Sequence, residues 1–186
     1  MQLRPLTPDD VEQALAVYSD AVRSQAPGLY DAGQIDAWAG HAQRSQELRR
    51  ALLRGRGLVS CDDEPGANHA STNRGGANHA GGNPGGIPGG GSVEAFGLLD
   101  PLDRLSLLYC RGRSSRQGRA TALLEGLEAM ARAAGCRQLR TEASQLSRPL
   151  LLRRGWRVEA QETVLYAAVA FVRWRMIKDL CSGSDG

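Results

Sequence analysis

Residues Leu108-Tyr109-Cys110-Arg111-Gly112-Arg113-Ser114-Ser115-Arg116-Gln117-Gly118-Arg119-Ala120-Thr121-Ala122-Leu123-Leu124 pass from an apolar strand, through a polar basic turn, into an amphipathic helix. A helix that starts near Gly118 leaves its first backbone N–H groups without intrahelical acceptors, and its macrodipole adds partial positive charge at the same place. Gly118 has no Cβ, and Ala120 and Thr121 keep the next positions small, so the backbone can approach an anion closely. Arg111, Arg113, Arg116 and Arg119 add cationic forks suited to phosphate. The turn reads as a phosphate site, with a glycine placed only for the geometry of a strand–helix joint as the plainer alternative. A dinucleotide or P-loop fingerprint fits less well. The turn holds no G-x-G-x-x-G, and the chain's single lysine, Lys178, lies far from it.

Outward from this turn, apolar spacing gives the other elements. Leu123, Leu124, Leu127, Met130 and Ala131 share one helix face, and Gly135 suits the C′ position that ends the helix. Arg137 to Glu142 reads as a strand, Arg148 to Arg154 as a short helix, and Trp156 to Ala160 and Val169 to Met176 as closing strands. Upstream, Val93 to Leu99 and Leu105 to Cys110 are strands. Thr7-Pro8-Asp9-Asp10 opens a first helix that Pro27-Gly28 stops beyond Gln25. A second helix spans Ala32 to Ala39 and a third Ser45 to Leu53, before a short strand from Gly57 to Cys61. Helices alternating with strands, with antiparallel pairs at both ends, give a mixed α/β or α+β sheet.

The chain has 186 residues, the length of one domain with a core large enough to need no disulfide staples. A single domain over 1–180 is expected, interrupted at 62–92, with a flexible tail at 181–186. The interruption repeats Gly-Ala-Asn-His-Ala at 66–70 and 76–80 and then decays into glycine, asparagine and proline. Too little there is apolar to offset chain entropy, so a disordered hairpin loop is expected. His69 and His79 recur without a matching Cys or carboxylate, and no metal is expected. Cys61, Cys110, Cys136 and Cys181 contain no C-x-x-C pair, against both a zinc knuckle and a disulfide framework. Cys110 fits a small buried hydrophobe, with a catalytic thiol as its alternative. No apolar run reaches a membrane span and no signal-peptide core follows Met1, so a cytoplasmic protein without a membrane partner is expected. A formal net charge of +3, without aromatics among the basic residues, argues against nucleic acid.

The turn resembles motif A of the GCN5-related N-acetyltransferase (GNAT) superfamily, Q/R-x-x-G-x-G/A, which Ser115-Arg116-Gln117-Gly118-Arg119-Ala120 matches at Gly118 and Ala120. Its surroundings resemble the longer family text L-Y-V-x-P-x-x-x-R-Q-G-x-A-x-x-L-L, with Gly112 in place of the proline. Thr141-Glu142-Ala143-Ser144, then Ser147-Arg148-Pro149 and Arg153-Arg154-Gly155-Trp156, resemble the T-E-A-S…A-R-P-F-F-E-x-R-G-F stretch of one bacterial branch. Arg173 to Lys178 resembles that branch's closing strand, Arg4 to Asp10 the family's opening, and Gln34 to Ala39 its second helix. The likeness covers about 1–60 and 93–180.

This resemblance implies a mostly antiparallel twisted sheet flanked by helices, and an acetyl-CoA-dependent transfer of an acetyl group to an amine of a small molecule or protein. It implies pantetheine pairing along Leu108, Tyr109 and Cys110. The pyrophosphate would sit on the backbone of Arg116, Gln117, Gly118, Arg119, Ala120 and Thr121, with Ser144 facing the arm. A homodimer is left open. Two departures stand out: Ser115 replaces the usual Gln or Arg, and Leu151 occupies the place of the usual tyrosine acid. Tyr109 is the nearest phenol in sequence, with a pocket-wall role as its alternative. Glu142 is the first candidate base, then Glu94 and Asp100, although Glu142 could instead cap a turn or pair with an arginine. The second functional reading is a degenerate domain that binds acetyl-CoA as a sensing or partner-binding module with little catalysis.

Overall fold

The computed structural model describes residues 1–62 and 91–180. The insertion expected at 62–92 and the tail at 181–186 lie almost wholly outside the described residues. What can be described is the insertion's root, where Asp62 N donates to Ser92 O at 3.2 Å.

Thr7 donates from its backbone N and its Oγ1 to Asp10 Oδ2 at 2.9 and 2.8 Å, and Arg4 forks onto the same carboxylate. This knot sets the entry of α1 (Val11–Gln25), which buries Val11, Ala14, Leu15, Tyr18 and Val22. Asp31 caps α2 (Ala32–Arg44) by accepting from Gln34 N at 2.8 Å. This helix runs past the Ala39 boundary read from the sequence, because Ala39 and Ala42 are both buried and continue its apolar stripe across Gly40. Ser45 caps α3 (Gln46–Arg54).

Four strands, β1 (Gln2–Pro5), β2 (Arg56–Cys61), β3 (Val93–Leu99) and β4 (Leu105–Cys110), form an antiparallel sheet in that order. The first of these was not recognised in the sequence as a strand. After β4 come α4 (Arg119–Ala133), β5 (Gln138–Ala143), α5 (Arg148–Arg153), β6 (Arg157–Tyr166) and β7 (Val169–Asp179). The last three strands make a second antiparallel sheet, ordered β5-β7-β6. The final hairpin is longer than the sequence reading because β6 continues to Tyr166, and Ala167 and Ala168 turn it with φ of 49° and 62°. Asn and Gly usually fill such a turn, so the sequence offers no turn signal there.

The two sheets meet where β4 and β5 start, side by side and parallel. Arg140 N donates to Asp103 O at 3.0 Å and Thr141 Oγ1 to Leu105 O at 2.7 Å. Beyond that point no described hydrogen bond joins the two strands, and they diverge. One core packs α1, α2 and α3 on the first sheet, around Leu15, Val22, Leu52, Val59 and Phe96. The other packs α4 and α5 across the second sheet, around Leu124, Leu127, Leu139, Leu151 and Trp156. Together these give a mixed α/β fold of antiparallel sheets flanked by helices.

In the second core, Glu128 of α4 accepts from Trp156 Nε1 at 3.1 Å and from Lys178 Nζ at 2.8 and 2.7 Å. The carboxylate is almost fully buried, so its removal strands a cation and an indole N–H in the core. Glu128→Ala is expected to lower unfolding free energy by about 3 kcal/mol in urea titrations. Glu125→Ala, which breaks the more exposed pair with Arg154, is expected to cost under about 1 kcal/mol.

Candidate functional site

The divergence of β4 and β5 opens a cleft of about 950 Å³ whose walls include β4, the turn before α4, the end of β5 and the β6–β7 hairpin. Arg111 N donates to Glu94 O at 2.8 Å, which fixes the phase of the β3–β4 ladder. Alternation then points Tyr109 and Leu107 backbone groups at β3, and those of Leu108 and Cys110 into the cleft. Gln25 Nε2 already reaches Cys110 O from that side at 2.6 Å. A strand edge with no partner strand, touched among the described residues only by Gln25, thus forms one wall, suited to an extended amide-bearing chain.

At the end of β4 the chain makes the turn that the sequence singled out. Gly118 is the N-cap of α4 with φ of +81°, and Arg116 is also left-handed at 60°. A Cβ at Gly118 would meet no heavy atom within 4 Å, so the space over the turn is open. Among the described residues no acceptor takes the backbone N–H of Gln117, Gly118, Arg119 or Ala120. Several donors converge on one open space at the positive end of a fifteen-residue helix. An anion of pyrophosphate type fits that donor set.

The arginines play a different part from the one read in the sequence. Arg113 forks onto the buried carboxylate of Glu94, with Nε donating at 2.9 Å, and Ser114 Oγ donates to the same carboxylate at 2.6 Å. Arg111 Nε donates to Val93 O at 3.1 Å. Arg119 is buried and donates to Ser60 Oγ at 3.0 Å and to the Asp62 carboxylate. Three of the four guanidiniums therefore hold the turn to β2 and β3. Only Arg116 stands exposed on the cleft without a described partner, while Arg119 keeps its backbone N–H in the donor set.

The acid and base candidates separate in the same way. Glu94 is held down at about 2 by Arg113, Ser114 and Ser92 despite its burial, so it has no basicity to offer near neutral pH. Asp100 pairs with Arg54 at 2.9 Å and does not line the cleft. Glu142 does line it, and places Oε2 on Arg104 Nε and Nη2 at 3.0 and 2.6 Å. Tyr109 packs between Tyr18 and Phe96, accepts from Trp38 Nε1 at 3.3 Å, and is pushed up to about 12 by burial. The Cys110 thiol rises to about 11 for the same reason, and its Sγ donates to Ser114 O at 3.2 Å, so it is no thiolate nucleophile. Ser144 sits at the end of β5, locked in reciprocal bonds with Ser147. Leu151 is buried in the second core.

Some partners were invisible in the sequence. Arg104, which orients Glu142, lies 38 residues away from it. Gln25 joins β4 to the turn by accepting from Ser115 Oγ at 3.0 Å while donating to Cys110 O, which gives Ser115 a partner where the motif's usual Gln or Arg is absent. Tyr30, which accepts from Gln145 N at 2.9 Å, stands in a Pro-Gly loop with no motif around it.

Several solved structures are similar to this chain in fold. A GCN5-related N-acetyltransferase from Rhodopseudomonas palustris is similar at a TM-score of 0.75 and 20% identity, over 96% of this chain and 94% of that one. The PaiA N-acetyltransferase of Thermoplasma acidophilum, solved with coenzyme A, gives 0.64 at 15% identity over 96% and 99%. The YncA protein of Salmonella typhimurium, solved with its cofactor acetyl-CoA, gives 0.58 at 16% identity over 100% and 97%. No protein-family model matches the sequence, and none of the curated proteins does. The chain therefore has the fold of the GCN5-related N-acetyltransferases.

Because the folded pKa of Glu94 lies below its ordinary 4.5, its pairing stabilises the fold above that value and is lost as pH falls toward 2. Glu94→Gln is expected to flatten the fall in melting temperature across that window; an unchanged acid limb would show that Glu94 does not hold the turn.

Proposed function

We propose that the protein is an acetyl-CoA-dependent N-acetyltransferase acting on an amine. The observation that carries this is the continuous path from the β4 edge with no partner strand to the unaccepted N–H groups at the start of α4. The edge groups of Leu108 and Cys110 would pair with the pantetheine amides. The backbone of Arg116 to Thr121 would hold the pyrophosphate, with the Arg116 guanidinium beside it, and Ser144 would face the arm from the other wall. Bound there, acetyl-CoA supplies an activated acetyl thioester.

The chain's own residues then position and deprotonate the acceptor. Glu142 is the one carboxylate among the described residues lining the cleft. Arg104 holds one of its oxygens, which leaves the other to take the proton that the nitrogen sheds as it bonds to the acetyl carbon. Tyr109 acts as wall, since its phenol stays protonated and bonded through the neutral range. The departing thiolate is a tolerable leaving group near neutral pH and can take its proton from water.

The binding-module reading draws on one of the same facts: Leu151, buried beside the cleft, cannot donate a proton.

Two experiments decide. Gly118→Val places a branched side chain in the open space over the turn, in a backbone region that valine disfavours. Calorimetry is expected to show acetyl-CoA affinity reduced by about tenfold or more, with the circular dichroism of the fold retained; unchanged affinity rejects the site. With an accepted amine, Glu142→Gln is expected to lower kcat by about a hundredfold, and the wild-type rate to rise with pH without a falling limb below pH 10. Binding of acetyl-CoA with no turnover on any amine favours the module.

A further inference from the structure

Aromatic residues are 5% of the chain, yet all four tyrosines line the cleft, together with Trp38 and Phe171. They come from separate parts of the sequence: Tyr18 from α1, Tyr30 from the loop before α2, Trp38 from α2, Tyr109 from β4, and Tyr166 and Phe171 from the β6–β7 hairpin. Their rings form one connected wall. Centroids lie 4.3 Å apart for Tyr18 and Tyr109, 5.3 Å for Tyr30 and Trp38, 5.8 Å for Tyr30 and Phe171, and 5.9 Å for Tyr166 and Phe171.

A wall that existed only to close the core would spend its hydroxyls within the fold. One phenol does not. Tyr166 Oη is buried with no hydrogen-bond partner among the described residues. Tyr30 Oη, by contrast, accepts from Gln145 N and meets the side chain of Ser144. A buried hydroxyl left without a partner is costly, and a ligand that bonds it recovers that cost. The rest of the lining bears on charge. Its one carboxylate among the described residues, Glu142, is held by Arg104, so the lining offers no cluster of acids for the several ammonium groups of a polyamine.

Resting on the acetyltransferase reading, we infer that the acceptor is a primary amine carried on a planar aromatic body, seated against the wall of Tyr30, Trp38, Tyr166 and Phe171. The ring of such an acceptor stacks or meets edges with these side chains, and a polar substituent on it satisfies Tyr166. The amine nitrogen lone pair forms the new bond to the acetyl carbon. The carbon–sulfur bond breaks with its electron pair on sulfur, which takes a proton from water. The proton shed by nitrogen goes to Glu142 and then to solvent. Amine and acetyl thioester thus give amide and free thiol.

The test compares benzylamine with cyclohexylmethylamine, which matches it in length but lacks the flat ring and is the stronger base, so that rates are compared per concentration of unprotonated amine, then 4-hydroxybenzylamine and spermidine. Release of free thiol from acetyl-CoA is followed in each case, and acetyl-CoA binding is measured separately by calorimetry. Benzylamine is expected to exceed cyclohexylmethylamine by about tenfold in kcat/KM, with spermidine below both. Phe171→Ala is expected to erase that preference, and Tyr166→Phe to remove the advantage of 4-hydroxybenzylamine over benzylamine, each leaving acetyl-CoA affinity unchanged. Equal or better use of cyclohexylmethylamine or spermidine overturns the inference and leaves the acetyltransferase reading standing. If acetyl-CoA binds but no aromatic amine reacts, calorimetry with N-(4-hydroxybenzyl)acetamide decides: binding that Phe171→Ala abolishes supports the aromatic wall, and no binding overturns it. Failure to bind acetyl-CoA removes the reading on which the inference rests.

Discussion

Everything at the site depends on two neighbouring parallel strands that agree to pair only at their beginnings. Thr141 Oγ1 and Arg140 N tie β5 to the start of β4, and past that tie the strands part. A parallel ladder carried further would have filled the edge of β4 with β5, leaving no cleft. The split is maintained from both sides. β5 is committed to β7 along its whole length, and β4 to β3, so each strand keeps its partner while the inner edges separate.

The basic turn shows how a local cluster of charge divides its labour. Arg111 and Arg119 are turned inward, where they meet Val93 O and the Asp62 carboxylate, and Arg113 lies at the surface with its guanidinium on the buried carboxylate of Glu94. A buried carboxylate at the middle of this group ties the turn down, because losing Arg113 would leave the buried Glu94 without its cation. The donors left for a ligand are then main-chain N–H groups, whose direction is set by the backbone and not by a rotamer. Such an arrangement tolerates changes of side chain at Arg116 and Gln117 far better than a change of backbone geometry at Gly118.

The sequence was most legible where chemistry and geometry are local. The strand–turn–helix unit, Gly118 at the start of α4, Gly135 beyond its end and the strands around them follow from spacing and capping within a few residues. The sequence was silent where partners are distant. Arg113 reads as a phosphate ligand until β3 brings Glu94 beneath it, and Glu94 reads as a base until Arg113 and Ser114 take its oxygens. The extension of β6 to Tyr166 was missed because two alanines make its turn, and with it went the hairpin's contribution to the aromatic wall. The flanks of 62–92 are joined as neighbouring antiparallel strands.

Lys178, the chain's single lysine, is held by Glu128 beneath the sheet, which matters for a reason other than stability. Acyl thioesters acylate unprotonated lysine side chains without any catalyst. The Lys178 nitrogen is held by both oxygens of a buried carboxylate and is mostly covered by packing, so a thioester has poor access to it. With arginine used in nearly every other cationic position, the fold offers no ε-amine of its own as a competing target, and is chemically suited to long residence beside a reactive acyl donor.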